Sequence, residues 1–200
     1  MPSRRQEYLR PKIRMRQFLS AKQAGQVEWV YGSFLLLFLG ILLWAQLQLE
    51  AYQSSARYLE DALAASNLAS AIVDVEEYGS SHTILIADPM EAYQRYCIAV
   101  QSNLGLDEEW RSGNQTLISG RVIPVSYIIY NVKTDIVDVY EVNADGRMSY
   151  RQEMLGAVTA PNGIEIVSTG IYSEISYPVE GILGLTVEAR KGKLVDIVRN

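Results

Sequence analysis

Residues 29–49 have the sequence WVYGSFLLLFLGILLWAQLQL, twenty-one positions without a charged side chain. As a helix rising ~1.5 Å per residue, this stretch is about 31 Å long, and the hydrocarbon core of a bilayer is ~30 Å thick. Trp29, Tyr31 and Trp44 lie near its two ends, where interfacial aromatic rings are expected. We therefore predict a transmembrane helix over residues 28–49. The alternatives are a buried core helix and a cleaved secretory signal.

The charge on either side of this stretch predicts its orientation. Residues 1–27 contain seven basic side chains and one acidic side chain, a local charge of +6, and the whole chain carries −5, which leaves −11 for residues 28–200. Because basic flanks of membrane helices stay in the cytoplasm, we predict a single-pass protein of the cell membrane. Residues 1–27 would be a basic cytoplasmic leader or tail, and the chain after the helix would be extracellular. A nucleic-acid-binding head is the other interpretation of this asymmetry, but the adjacent membrane helix explains it better, so no nucleic-acid partner is expected.

Cysteine and histidine usage limits the chemistry of the exported part. The chain has one cysteine, Cys97, and one histidine, His82, which excludes an intrachain disulfide, a zinc site of paired cysteines and a histidine cluster. The sequence contains no nucleophile and base pair, metal-ligand spacing or glycine-rich phosphate loop. We therefore predict no enzymatic activity, no metal, no cofactor and no small-molecule substrate. Cys97 is interpreted as a small buried hydrophobic residue.

Helix-forming sequence continues beyond the membrane segment. Residues 51–78 contain no Gly or Pro and are rich in Ala, Leu and Glu. They predict one unbroken helix from about Val27 to Tyr78, with residues 50–79 as an extracellular helical extension. An apolar stripe follows this extension and consists of Ala56, Leu59, Leu63, Leu68, Ile72 and Val75. We expect the stripe to pack against a partner, whose backbone the many small residues nearby would let approach closely.

A second helix is predicted after a short strand at residues 82–87. Asp88 is a suitable N-cap, Pro89 a suitable first residue, and Gly105 a suitable end. The apolar residues within it recur at spacings of three and four, so this face is predicted to belong to the core: Met90, Tyr93, Cys97, Val100 and Leu104.

From residue 117 onward the pattern alternates in the manner of strands, with β-branched and aromatic residues separated by Gly, Asn and Pro. The predicted strands are 117–119, 121–132, 136–143, 147–154, 164–169, 171–177, 182–190 and 194–198. Hairpin turns are predicted at residues 143–146 and 190–193.

One face of the last two hairpin-connected strands is predicted to point inward. Its side chains are Ile171, Ser173, Ile175 and Tyr177 on one strand and Leu183, Leu185, Val187 and Ala189 on the next. The other face carries Glu174, Glu188 and Arg190 to water. Residues 80–200 are thus predicted to form an extracellular α+β domain, an antiparallel sheet with one or two helices on one face.

Residues 22–28, KQAGQVE, directly precede the apolar run. They resemble the leader junction of type IV pilins and pseudopilins, in which a basic leader ends in Gly, a membrane peptidase cuts after that Gly, and a Glu follows in the mature helix. The resemblance implies that Gly25 precedes the cut, that Gln26 becomes the N-terminus, and that Glu28 pairs with the free amine of a neighbouring subunit. Glu28 is the third residue after Gly25, whereas the family commonly has this Glu fifth. A carboxylate at the edge of lipid is costly unless it meets a positive partner.

The order of segments extends the resemblance, because a basic leader, an apolar half-helix, an amphipathic half-helix and an antiparallel sheet follow one another as in pilins. Residues 171–181, IYSEISYPVEG, and the strand after them are similar to the C-terminal hairpin of TadE-type pseudopilins of Tad (tight adherence) systems, which have Gram-positive variants without disulfides.

The resemblance implies a pilin-like fold and a structural or assembly role as a minor pilin or pseudopilin in a Tad-like type IV pilus or secretion apparatus. The implied partners are the membrane, other pilin or pseudopilin subunits contacted through the N-terminal helix, and a prepilin peptidase. The alternative function is a membrane-anchored extracellular binding or sensing module that is not part of a pilus.

Overall fold

The computed structural model describes residues 10–113, 118, 120–143, 145–180 and 186–197, with the backbone alone described for residues 10–27 and 180. The helices are α1 (Arg10–Ser70), α2 (Val75–Ser81) and α3 (Pro89–Leu104). The strands are β1 (Ile123–Val132), β2 (Ile136–Asn143), β3 (Met148–Met154), β4 (Gly170–Glu180) and β5 (Thr186–Asp196). They form one antiparallel sheet in the order β3-β2-β1-β4-β5. The predicted α+β class, with a long N-terminal helix followed by a sheet, is confirmed.

The chain divides into two compact units, Met1–Gln53 and Ser54–Asn200. The first unit contains the apolar part of α1. The second contains the last part of α1, the two shorter helices and the sheet.

The prediction of one helix from Val27 to Tyr78 is wrong at both ends, because the described helix already includes Arg10 and stops at Ser70. The stop coincides with contacts to residues distant in the sequence. The Ser70 hydroxyl forms a 2.8 Å hydrogen bond with Tyr127 Oη in β1, and the chain then pairs as an isolated bridge, Val73 with Ile86. Asp74 caps the following helix by accepting from two backbone amides, so α2 begins as a new element.

Helix α3 begins and ends where the sequence predicts. The Asp88 carboxylate accepts from the amides of Met90 and Glu91, and Gly105 closes the helix with φ +61°. Its core face is rotated from the predicted one, because Ala92 and Tyr96 are fully buried. Met90 is 40% exposed, and Tyr93 and Cys97 are partly buried at the edge of the core.

Four of the predicted strands agree with β1 to β4 within a few residues, and three other predictions differ. Residues 164–169 form no strand, residues 82–87 contribute the isolated bridge at Ile86, and residues 190–193 lie inside β5, which replaces the two predicted C-terminal strands. Of the strand predicted at residues 117–119, only Ile118 lies within the described residues. Outside them lie Leu183, Leu185, Ala144 of the predicted turn, and residue 198.

Strand β5 continues through Gly192 because of contacts that are distant in sequence. A Cβ at Gly192 would meet the hydroxyl of Tyr172 and lie 2.9 Å from its Cζ, so the Tyr172 ring covers the glycine. The lysines on either side of Gly192 point to α1 and bind Glu60. The residues that resemble a turn in sequence are therefore held extended.

The predicted exposed positions Glu188 and Arg190 are confirmed, whereas Glu174 is half-buried and Val187, predicted to point inward, is 60% exposed. The centre of the sheet is buried on both faces, so no solvent-exposed face exists there. One face packs on α1 and α3 through Tyr127, Ile129, Ile171 and Ile175. The other is covered by residues 155–169, whose Val158, Ala160 and Ile166 pack on Ile128, Tyr130, Val139 and Tyr172. The alternation of residues 164–169 predicts a strand instead, so the role of this segment as a cover was not predicted.

Asn131 at the end of β1 holds the segment between α2 and α3. Its side-chain amide donates to Ile86 O at 3.0 Å and accepts from Ile86 N at 2.9 Å. Asn131 is 5% exposed. Its buried side chain therefore makes the two backbone hydrogen bonds to this segment that a neighbouring strand would otherwise make.

Candidate functional site: the N-terminal helix

The predicted leader junction lies within α1. Gly25 and Gln26 both have helical backbone, and α1 is continuous across the bond between them. The Glu28 side chain, less than one turn further on, is exposed. Among the side chains that the structure describes, none forms an ion pair with Glu28.

The apolar part of α1 is exposed along its length. Trp29 is 80% exposed, Leu36 73% and Phe34 69%, and none of the apolar window is buried. An uninterrupted apolar surface of this kind is rare on soluble monomers. Among the described residues this is the one helix long and apolar enough to cross a membrane. A core helix of this chain's own fold is excluded as its explanation, because the side chains are not covered.

A shallow notch lies on this helix next to Glu28. It is lined by Glu28, Trp29, Gly32, Ser33 and Leu36, and a Cβ at Gly32 would have no atom within 4 Å. The Ser33 hydroxyl donates to Trp29 O at 2.9 Å, so it leaves no unbonded donor in the exposed apolar surface. The notch combines an open backbone with an acceptor carboxylate, an arrangement that can accept a small cationic group from a neighbouring molecule.

The last part of α1 packs on the chain's own sheet. Leu59 and Leu63 of the predicted stripe are 1% and 0% exposed, but Leu68 is 52% and Val75 77% exposed. The stripe continues through buried polar residues, Ser66, Asn67 and Ser70, each 0% exposed. The expected partner of the stripe is thus this chain's own sheet.

Asn67 fixes α1 on the sheet through its amide. Its Nδ2 donates to Ile171 O at 3.3 Å and to Lys193 O at 3.0 Å, and so bridges β4 and β5. Ser66 accepts from the Asn103 amide at 2.9 Å, which links α1 to α3. The Asn67 Oδ1 atom is buried without a hydrogen-bond partner among the described residues, so the two bonds from Nδ2 determine the orientation of the side chain.

Glu60 forms the outer contact between α1 and β5. Its two carboxylate oxygens lie 2.7 Å from Lys193 Nζ and 2.8 Å from Lys191 Nζ. The hydrogen bonds from these ammonium groups and their charges lower the pKa of Glu60 to about 2. The helix that carries the apolar segment is therefore tied to the C-terminal strand by hydrophobic, amide and ionic contacts.

Sequence reasoning missed both Glu60 and Asn67. A signal for Asn67 exists, since Ser66, Asn67 and Ser70 continue the three- and four-residue spacing of Leu59 and Leu63. The predicted stripe contained apolar residues alone and therefore continued through Leu68 instead. Glu60 has no comparable signal, because its lysine partners are more than 130 positions away.

Three tyrosines, two on α3 and one on β1, form a cluster beside Cys97. The Tyr96 and Tyr127 rings have centroids 4.7 Å apart, and Tyr93 lies 5.5 Å from Tyr127. Burial raises the pKa of the Cys97 thiol and of all three phenols. These groups are neutral at physiological pH, and the cluster is a packing feature of the core.

Within the described ranges, no three His, Cys, Asp or Glu side chains come together in a way that could hold a metal ion. The acidic Asp107 organises a loop, since its carboxylate accepts from the amides of Glu109 and Arg111. The exposed helix with Glu28 is therefore the candidate site of this chain. Comparison with models of protein families, with curated proteins and with solved structures finds no match for the chain.

Proposed function

We propose that this chain is a structural or assembly subunit, a TadE-like minor pilin or pseudopilin of a Tad-like type IV pilus or secretion apparatus in a Gram-positive cell. The observation that carries the proposal is the division of one helix into two parts. Its first part exposes every apolar side chain, and its last part is packed on an antiparallel sheet. Such a helix anchors the domain in a membrane and offers an uncovered surface to like helices.

Association of these helices within lipid needs specific contacts. Lipid is as apolar as leucine, so burial of the leucine side chains against another helix gains little there. An ionised carboxylate at the edge of lipid supplies a strong preference for a positive partner. In this proposal a prepilin peptidase cuts after Gly25, and the new amine of Gln26 in one subunit pairs with Glu28 of its neighbour. In this proposal the folded domain lies outside the cell, and further subunits are added on its membrane side.

The first test is the N-terminus of the mature protein. The full chain is extracted from its native membrane, and its intact mass and N-terminal peptide are measured by mass spectrometry. A chain that begins at Gln26 supports the proposal. A chain that begins at Met1 contradicts processing and, with it, the assignment to a processed pilin class.

The second test is the Glu28 carboxylate. We expect Glu28→Ala to insert into the membrane normally and to impair assembly, because the amine of the neighbouring subunit loses its partner. Glu50→Ala is the matched control, since Glu50 is also exposed and lies at the other end of the apolar run. Membrane fractionation measures insertion, and sedimentation of sheared surface material measures assembly. Normal assembly of the Glu28 variant would reject the charge-pair role.

One observation favours the alternative, a membrane-anchored binding module. Residues 82–84, 132–134 and 167–169 converge at one end of the sheet around a groove of about 290 Å³. The Val132 amide donates to the Thr169 hydroxyl at 3.0 Å, which fixes the floor of this groove. A binding module of this kind needs no cut after Gly25, so the mass measurement also separates the two functions.

A further inference from the structure

The segment that covers the second face of the sheet, residues 155–169, folds back at a tight turn, and we call this segment the cover. The turn has the sequence APNGI, residues 160–164. The Ala160 amide donates to Ile164 O at 2.8 Å, and the Gly163 amide donates to Ala160 O at 2.8 Å. Asn162 and Gly163 are exposed at the tip, and Gly163 has φ +84°. The bond between Asn162 and Gly163 is therefore open to water and held in one conformation by the turn.

The residues at this tip can react with each other. Asn162–Gly163 is the only Asn–Gly pair in the chain. Because Gly has no side chain, the backbone nitrogen of Gly163 can approach the side-chain carbonyl carbon of Asn162 without steric hindrance. In spontaneous deamidation a bond forms between Gly163 N and Asn162 Cγ, the Cγ–Nδ2 bond breaks, and ammonia leaves with the proton of the Gly163 amide. Water then opens the resulting succinimide ring and yields aspartate or isoaspartate.

The closed turn opposes this reaction at the attacking nitrogen. The Gly163 amide must lose its proton to become a nucleophile, and that proton is bonded to Ala160 O, with a distance of 2.8 Å between nitrogen and oxygen. The Asn162 side chain is also restrained, since its Oδ1 accepts from the Ile164 amide at 3.2 Å. Both bonds belong to the folded turn. The turn must therefore open before Gly163 N can react.

Packing of the cover holds the turn closed. Ala160, whose amide and carbonyl make the two main-chain bonds of the turn, is 3% exposed. Its neighbours in the cover, Val158 and Ile166, are 3% and 2% exposed. The Ile166 amide donates to Val158 O at 3.0 Å and so joins the two sides of the cover at the base of the turn. The turn and the packed part of the cover therefore open together.

We propose that Asn162 is a site of spontaneous deamidation that the closed turn protects, so that isoaspartate forms at residue 162 when the cover has opened. The inference goes beyond the proposed function and does not depend on it. Isoaspartate routes the main chain through the former side chain and lengthens it by one carbon atom, and either product adds a negative charge. The hydrogen bonds of the turn lose their spacing in the isoaspartate form, so an opened cover cannot close as before. The site thus converts a transient opening of the cover into a permanent covalent change.

The rate of deamidation in the full chain tests this protection. The protein is kept in mild detergent at slightly alkaline pH, and a second portion is kept at the same pH in guanidinium chloride. Samples are digested, and the asparagine, aspartate and isoaspartate forms of the peptide with residue 162 are separated by chromatography and quantified by mass spectrometry. We expect the folded chain to react more slowly by at least about ten-fold, because opening of the turn breaks two hydrogen bonds and uncovers apolar side chains.

Two substitutions change the opening without changing the reacting residues. Val158→Ala leaves a cavity under the cover and is expected to raise the rate on the order of ten-fold. Pro161→Ala loosens the turn itself, because proline favours the backbone angle of that position, and should raise the rate about two- to five-fold. Val187→Ala is the matched control, since Val187 is 60% exposed on β5, and should leave the rate unchanged. The near-ultraviolet circular dichroism of Tyr96 and Tyr127, on the opposite face of the sheet, verifies that each variant is folded.

The outcomes test the site and its protection separately. Slow reaction in the folded parent chain, with faster reaction in the folded variants, supports the proposal. Equal rates in the folded and unfolded chains would overturn the protection by the turn, and an absence of isoaspartate at residue 162 even in guanidinium chloride would overturn the site itself. Rates in the folded variants that equal the parent rate would reject the coupling between the cover and the turn. If Val158→Ala loses the tyrosine signal, the rate of Pro161→Ala decides this last point.

Discussion

Replacement of Glu60 by Gln tests the ionic contact that joins α1 to β5. The substitution keeps the size of the side chain and removes the charge that Lys191 and Lys193 share, at 2.8 and 2.7 Å. Both lysines then remain close to each other without an anion between them. We expect Glu60→Gln to fold and to be less stable at neutral pH.

The magnitude follows from the exposure of the groups. A pKa lowered from 4.5 to about 2 would, taken directly, correspond to about 3 kcal/mol. The Glu60 side chain is 36% exposed, however, and water and salt screen such a pair. Exposed ion pairs contribute about 0.2 to 1 kcal/mol each, so two pairs on one carboxylate predict about 1 kcal/mol.

The pH dependence has a definite sign. The folded-state pKa of Glu60 is lowered, so the unfolded chain takes up the proton first and the folded state loses stability as pH falls. The contribution is complete above about pH 4.5 and decreases progressively down to about pH 2. The stability difference between the parent chain and Glu60→Gln should therefore be about 1 kcal/mol at pH 7 and close to zero near pH 2.

Denaturant unfolding of the full chain in mild detergent measures this difference. The near-ultraviolet circular dichroism of the packed tyrosines, Tyr96 and Tyr127, reports loss of the core. Glu91→Gln is the control, because its ion pair with Arg95 is also exposed but lies within one helix, where about 0.3 to 0.5 kcal/mol is expected. A difference for Glu60→Gln that stays constant between pH 7 and pH 2 would refute the reasoning.

Two further substitutions test how the helix and the last strand are held. Asn67→Ala removes the amide that serves two strand carbonyls and should cost about 1 to 3 kcal/mol in the same unfolding assay, while a cost below about 0.5 kcal/mol would show that the bridge is dispensable. Gly192→Ala forces a Cβ against the Tyr172 ring and should destabilise the chain by about 1 to 3 kcal/mol. Gly79→Ala, in open space on α2, is the control and should be neutral or stabilising. Equal effects of the two substitutions would contradict the packing argument.

The parts of the fold that the sequence predicts well are those determined by neighbouring residues. Helix α3 is an example, because Asp88 and Gly105 act on backbone groups within one turn of themselves. The exposed apolar part of α1 is another, since an uninterrupted run of large apolar side chains needs no tertiary partner to be recognised. Strands β1 and β2 likewise follow from alternation and a short connection.

The parts that differ depend on residues far apart in the chain. Gly192 has the local signature of a turn, and its extended conformation depends on Tyr172 and on the Glu60 contact from α1. The end of α1 at Ser70 likewise depends on Tyr127, fifty-seven positions later. Of the candidate site, Glu28 is predicted from the sequence, whereas the contacts of Glu60 and Asn67 with the sheet depend on residues more than one hundred positions away.

The single amide pair between Asn131 and Ile86 has a practical consequence. The chain between α2 and α3 is hydrogen-bonded to β1 at Ile86 through the Asn131 amide, and the residues before Ile86 belong to none of the strands. Extra residues placed after exposed His82, which closes α2, would lengthen a surface connection without shifting β1. An epitope inserted there would let antibodies detect the protein with its helix and sheet unchanged.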